Sequence, residues 1–283
     1  MIARFSQRGG WLGPGPPPGL RFDLNRRSPQ ARGLLAWWSA LPVRAGATLY
    51  DLGDYRLDGS FPGGGADPVW VADGQRGAAL LFDGSDDNIN VGDPARLDFG
   101  ANQDFTVTAW LKSSDLSHTN TILRKAGNVD FDGYFLQSLG TTPSFAIVQA
   151  PAPPGTVTVN SDVVITTGTW NFLAGQRKGS DIHIFVNGVL TGTAAAFTDS
   201  VATTASLYIG RYIGNTTSTT EGLLDDVRIY DYALPAGLIW DMWQPATRWE
   251  LYRSLARNLV VSTYLSYRSR LVRSDRPVRE LRI

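Results

Sequence analysis

The side chains that could do chemistry are sparse in this sequence. The chain has no cysteine and only two histidines, His118 and His183, and its glutamates are limited to Glu221, Glu250 and Glu280. Without cysteine there is no thiolate nucleophile, no thiolate metal site and no disulfide framework. That composition fits a reducing compartment and is compatible with an extracellular particle assembled inside a cell. His183 alternates with Ile182 and Ile184 and is expected at the surface, while His118 sits in the polar stretch Asp115-Leu-Ser-His-Thr-Asn. No Gly-x-Ser-x-Gly elbow, phosphate loop or zinc spacing is present. Retaining glycoside hydrolysis needs two carboxyl groups roughly 5 Å apart. The nearest approach is Asp130 and Asp132 in Asn128-Val-Asp-Phe-Asp, which reads as a pair of solvated loop carboxylates. No catalytic residue is expected.

Oxygen ligation of a cation is the better chemical expectation, because Ca²⁺ takes six to eight oxygens from carboxylates, carbonyls and water. Asp225 and Asp226 are adjacent in a β-prone run, so their side chains should point to opposite faces. Alternation with Val227 and Ile229 places Asp225 at the core, where a buried carboxylate needs a cation, turn amides or an arginine. Asp83, Asp86 and Asp87 form a second, exposed cluster that reads as a solvated turn. Sugar binding would use aromatic faces with a few polar groups. The candidates are Phe131 and Tyr134 in a polar loop, and Tyr212 beside Asn215. Trp37, Phe82, Trp110, Phe172 and Phe185 are assigned to the core.

The elements that position these residues are short β-prone runs separated by Gly, Asp, Asn and Pro clusters. Phe105-Thr-Val-Thr-Ala-Trp-Leu and Leu207-Tyr-Ile-Gly-Arg alternate with period two, and Asn187-Gly188 between two alternating runs is a strong hairpin signal. No helical periodicity appears before position 235. Strands without intervening helices predict an all-β, two-sheet antiparallel sandwich. After Pro235 a short helix is expected with Leu238, Ile239, Met242 and Trp243 on one face, ended by Pro245. Thr247 and Glu250 have capping-box spacing and predict a second short helix. Residues 258–268 read as a β-prone tail, and the Gly/Pro-dense stretch Gly9–Gly19 as an extended arm.

The formal net charge of zero conceals a partition. Residues 1–32 carry six Arg and one Asp, and residues 247–283 carry nine Arg against three acids. The intervening body carries 11 Lys and Arg against 22 Asp and Glu. An acidic body between two basic arms predicts different partners for different parts of the chain. The arms lack a recognised nucleic-acid fold, so protein docking is expected, with Trp11, Trp240, Trp243, Trp249, Tyr252 and Arg253 as anchors. The alternative is that the tail packs back onto its own sandwich. No run approaches roughly eighteen apolar residues, so no membrane span is expected, and the first residues do not read as a secretion signal.

In order along the chain come Gly33-Leu-Leu-Ala-Trp-Trp, Arg76-Gly-Ala-Ala-Leu-Leu-Phe-Asp-Gly-Ser-Asp-Asp, Phe105-Thr-Val-Thr-Ala-Trp-Leu-Lys and Thr121-Ile-Leu-Arg-Lys. Gly133-Tyr-Phe-Leu, Trp170-Asn-Phe, Val186-Asn-Gly-Val-Leu, Leu207-Tyr-Ile-Gly-Arg and Gly222-Leu-Leu-Asp-Asp-Val-Arg-Ile-Tyr complete the series. This order resembles the laminin G-like/concanavalin A-like lectin-glucanase superfamily over residues 33–234. The resemblance implies a jelly roll with one concave and one convex sheet. It also implies a structural Ca²⁺ held by Asp225, the Gly84 carbonyl and a backbone oxygen near Trp38. The Glu-x-Asp-x-x-Glu of glucanase relatives is absent. Asp241-Met-Trp-Gln-Pro and Trp249-Glu-Leu-Tyr-Arg are similar to the terminal pattern of phage virion proteins.

The expected organisation is an N-terminal arm over residues 1–32, the jelly roll over 33–234, and a helical segment with an Arg-rich docking tail over 235–283. The expected function is a non-enzymatic phage structural protein, a capsid decoration or fibre component. It would be assembled in the host cytoplasm, displayed on the virion surface, and partnered by other virion proteins, a surface glycan or copies of itself. A free lectin-like module and a degenerate glycan hydrolase are the alternatives.

Overall fold

The computed structural model describes residues 22–40, 46–75, 77–127, 132–149, 155–196, 198–214 and 217–254. Strands run in chain order as β1 (Phe22–Leu24), β2 (Leu34–Trp38), β3 (Thr48–Leu49), β4 (Gly59–Ser60), β5 (Val69–Gly74) and β6 (Gly77–Asp83). They continue as β7 (Ile89–Gly92), β8 (Phe105–Ser113), β9 (Thr119–Ala126), β10 (Gly133–Leu139), β11 (Thr142–Gln149) and β12 (Gly155–Asn160). β13 (Asn171–Lys178), β14 (Asp181–Val186), β15 (Val189–Ala195), β16 (Leu207–Ile209) and β17 (Glu221–Tyr230) precede helix α1 (Ala236–Trp243) and β18 (Tyr252–Ser254).

Two antiparallel sheets form the sandwich. The first has the order β15-β14-β13-β8-β17-β6-β5, with β2 also paired to β17, and the second has the order β12-β11-β10-β9-β16-β7-β4-β3. Period-two alternation sends Phe82, Val107 and Leu111 from the first sheet to meet Leu123, Leu136, Phe145 and Ile147 from the second. Each such burial contributes about 1.5–3 kcal/mol. The sheets approach closely at Gly175, where an added Cβ would stand 2.2 Å from the Phe145 ring. The Asn187-Gly188 hairpin forms between β14 and β15, with both residues at positive φ (52° and 82°) as the turn demands.

A second core lies on the outer face of the first sheet. Trp37, Trp110, Phe172 and Phe185 project there and are covered by Ile239 and Met242 of α1 and by Leu251 and Tyr252. These four aromatics are therefore buried, but outside the space between the sheets that the sequence assigned to them. Only Phe82 of the expected set lies in the central core. α1 presents the expected face and ends before Gln244. The second helix does not form: residues 245–251 are turns, and the Thr247 hydroxyl donates to the Asp241 carbonyl instead of capping. Residues 22–32 belong to the folded body rather than to an extended arm. β1 pairs with β18, and Gln30 bonds both Arg228 and the Thr247 carbonyl. The β-prone tail and Gly9–Gly19 lie outside the described residues.

Candidate functional site

The calcium expectation meets the structure at β17. Its first half pairs with β6 and its second half with β2, and the two partners part at Asp225 and Asp226. A register shift there puts Asp226 at φ +56°, breaking the period-two alternation. As a result both aspartates are buried, and neither lies in the central core. Asp226 accepts from the Trp37 indole (2.6 Å) and from Arg228 (2.9 and 2.6 Å). Arg228 is fully buried; burial alone would depress its guanidinium, but Asp226 outweighs this and holds it above its ordinary range. Asp225 accepts from the Ser39 hydroxyl and the Gln75 amide, both at 3.2 Å, and from the Ala40 amide. Burial and the neighbouring Asp226 charge push its carboxyl up to about 7.

The inferred ligand set does not assemble. The Gly84 amide bonds Thr220, and the Gly84 carbonyl accepts from the Thr219 hydroxyl. Thr220 lies five residues from Asp225 along the strand, about 16 Å at a β rise. Trp38 is near Asp225, opposite Val227, but the carboxylate oxygens are already committed to hydrogen-bond donors. Hydrogen-bond donors from Ser39, Ala40 and Gln75 meet the buried Asp225 carboxyl.

Two rim clusters bring ligating atoms within 4.8 Å of one another: Asp83, Asp86 and Asp87, and separately Asp115, His118 and Glu221. In the first, Asp87 accepts from the Asp83 amide and Asp83 from the Ser85 amide, as in a self-bonded turn. Burial, opposed by that amide and reinforced by the charges of Asp83, Asp86 and Asp67, raises the Asp87 carboxyl. In the second, His118 Nε2 lies 3.1 Å from the Thr219 carbonyl, and two Ser117 bonds hold the Asp115 carboxyl low. Sequence reasoning missed this second grouping because Glu221 is remote in the chain from the Asp115–His118 loop.

The outer face of the second sheet has a different character. Its register aligns Thr158, Ala146, Phe135, Arg124, Tyr208, Asn90 and Ser60 in one row across seven strands. Arg124 lies at the centre of this row. Its guanidinium stands 3.8 Å from the centroid of the Tyr212 ring and 4.5 Å from that of Phe135. Such contacts hold a cation over an aromatic face. Its Nε is buried without a hydrogen-bond partner, and burial, opposed only by Tyr212, lowers its affinity for the proton. Asn90 reaches the Tyr208 hydroxyl at 3.5 Å, and Gln137 occupies the adjacent position of the same face, paired with Ser144. The row is apolar at Ala146 and Phe135 and polar on either side, and Tyr208, Asn90 and Gln137 are partly exposed.

Among the expected ligand residues, only Tyr212 is placed here. Tyr134 is fully buried between the sheets, with its hydroxyl donating to the Leu97 carbonyl, and cannot meet a ligand. It follows Gly133 on β10 and alternation turns it inward, while its neighbour Phe135 faces out. Phe131, Asn215 and Trp11 lie outside the described residues. Of the expected docking anchors, Tyr252 is 8% exposed and meets Trp37 edge-on at 4.7 Å, and Trp249 packs beside it. Trp243 is partly buried in the same cluster. These three residues dock onto their own sandwich. Trp240 remains 40% exposed, and Arg253 contributes its backbone to β18.

A family model described as the concanavalin A-like lectin/glucanases superfamily matches residues 83–239. No curated protein matches the chain. Among solved structures, the binding domain of Paraclostridial mosquitocidal protein 1 is similar at TM-score 0.59 and 13% identity, over 75% of this chain and 52% of that one. Domain 4 of AbnA, an extracellular arabinanase from Geobacillus stearothermophilus solved with arabinotriose, is similar at TM-score 0.56 and 22% identity, over 75% and 98%. The binding domain of botulinum neurotoxin serotype D, solved with N-acetylneuraminic acid, is similar at TM-score 0.58 and 15% identity, over 75% and 51%. The chain spans about half the length of the toxin binding domains it matches. At these identities the likeness is one of fold.

Proposed function

The chain belongs to the concanavalin A-like lectin/glucanases superfamily, and we propose that it is a non-catalytic saccharide-binding module that uses the outer face of its second sheet. The observation that carries this reading is the contrast between the two outer faces. The chain's own helix and C-terminal turn seal the first, while on the second Tyr208, Tyr212, Asn90, Gln137 and Arg124 stay partly exposed beside a small apolar cluster, Ala126, Phe135, Ala146 and Val148, that is itself buried. Aromatic faces with a few fixed polar groups are what sugar sites use. The arabinotriose in the arabinanase-domain structure, 98% of which this chain covers, is consistent with this use of the fold. The non-catalytic part of the reading rests on the missing Glu-x-Asp-x-x-Glu spacing. An oligosaccharide array probed with the full chain tests the proposal. Binding that is lost on Tyr208→Ala or Tyr212→Ala supports it; no binding at high micromolar protein, or binding indifferent to both changes, refutes it.

The charge partition favours a second reading, in which the module is displayed on a larger particle such as a phage virion. Excess positive charge is confined to the two ends of the chain, beyond an acidic body. Since Trp243, Trp249 and Tyr252 are taken up internally, anchoring falls to residues 1–21, residues 255–283 and Trp240. Particle incorporation that survives removal of both terminal segments would refute this reading.

A further inference from the structure

We propose that Arg124 anchors an anionic subsite, and that the saccharide taken by the second sheet carries a single carboxylate there. The inference rests on the saccharide reading above and names the ligand class of that same face. A guanidinium stays charged at every physiological pH, so a protein that draws one out of water normally pairs it. This chain does so elsewhere. Lys125, the next residue, is fully buried and bonds Asp93 and Asp98 at 2.7 Å, together with two carbonyls. Arg228 is paired with Asp226, and Arg177 donates to the carbonyls of Gln103, Asp199 and Gly100. The half-buried Lys112, Arg211 and Arg248 each donate at least one bond. Among the described buried and half-buried cations, Arg124 is the one with no hydrogen bond and no ion pair. Its contacts are the two rings.

Those rings restrain the guanidinium without using its donors; Nε is buried, and the two Nη groups are left as the planar pair that can meet a planar carboxylate. One cation matches one negative charge. The surrounding body carries 22 acids against 11 bases, so its field repels a polyanion such as a heavily sulfated chain. Tyr208 and Asn90 on the same row, with Gln137 beside it, offer the hydroxyl and amide groups that sugar hydroxyls need.

The test is isothermal titration of the full chain with matched pairs: sialyllactose against lactose, and cellobiouronic acid against cellobiose. The acid of at least one pair should bind roughly tenfold more tightly than its neutral partner. That ratio should fall toward one in Arg124→Met, and most of the way in Arg124→Lys, which keeps the charge and loses the fork. In parallel, Arg124→Met without ligand should unfold at the same or a higher temperature, because it removes an unpaired cation from a half-buried site. A neutral sugar binding as tightly as its acid would overturn the inference while leaving the saccharide reading standing. An undiminished acid preference in Arg124→Met, or a lowered melting temperature for that variant, would overturn Arg124 as the anchor. If neither member of any pair binds, both readings fall.

Discussion

Replacing Asp225 by asparagine should remove one large contribution to the pH dependence of stability. The Asp225 carboxyl sits where β6 and β2 part from β17, and burial with the adjacent Asp226 charge raises it from 3.8 to about 7. The sign follows from proton counting. Between about pH 4 and pH 7 the folded chain holds a proton that the unfolded chain has released, so stability falls as pH rises. At about 1.4 kcal/mol per pH unit, the loss reaches about 4 kcal/mol above pH 7. Asparagine does not titrate. It keeps one acceptor for the Ser39 hydroxyl or the Gln75 amide and abandons the other, at a pH-independent cost of about 1–3 kcal/mol. The stability of Asp225→Asn relative to wild type should therefore rise by about 3 kcal/mol between pH 5 and pH 8, and pass from deficit to gain within that range. Urea unfolding followed by tryptophan fluorescence at several pH values gives this difference directly. A difference that stays constant with pH would show that Asp225 ionises in the fold as it does in water, and would refute the account of the strand fork.

Other consequences can be checked by the same unfolding assay. Asp226→Asn preserves a residue that tolerates positive φ but strands the fully buried Arg228, and should cost about 3–5 kcal/mol; a loss below about 1 kcal/mol would mean that Gln30 alone satisfies the guanidinium. Gly175→Ala drives a methyl into the Phe145 ring and should cost about 1–3 kcal/mol, whereas a neutral result would mean that the sheets can part locally. Met242→Ala empties the contact that holds α1 on the first sheet and should cost about 2–5 kcal/mol, with a red-shifted tryptophan emission if the second core loosens; unchanged stability would mean that α1 does not seal that face.

Much of the fold was legible because period-two alternation and turn chemistry are local. Asn187-Gly188 needs no tertiary information, since both positions require positive φ. The core side of β17 was misjudged for the opposite reason. Alternation assumes an unbroken ladder, and it is broken by the register shift of β17 against β8 at Asp225 and Asp226, the place where β6 gives way to β2 on the other edge. Trp37 and Trp110 look like central-core residues in sequence, since a strand buried on both faces loses its polar alternation. What covers their outer face comes from the far end of the chain. Tyr134 was taken for a loop residue because the glycine and aspartates before it read as a turn, yet it is the second residue of a strand and faces inward. Arg124 was legible only as part of Thr121-Ile-Leu-Arg-Lys. That it stands alone while Lys125 is paired twice depends on which side of β9 each faces, and on acids far from both in sequence.

The composition of the two outer faces bears on which one can remain accessible. The first sheet offers Trp37, Trp110, Phe172 and Ala174 to Ile239 and Met242, an apolar match that only covering removes from water. Its one buried charge pair, Asp226 with Arg228, comes already compensated, although the cover leaves the Trp110 indole N–H and the Tyr230 hydroxyl without hydrogen-bond partners. The row on the second sheet cannot be closed in the same way. Ala146 and Phe135 are already buried there, and an apolar element extended over Arg124 and Tyr208 would bury the guanidinium with no acid to meet it. A cover that costs less would supply an acceptor for the guanidinium, as the carboxylated saccharide proposed above would. On the proposal that Arg124 anchors a carboxylate, the cation that makes this face costly to bury is also the feature that would select its ligand.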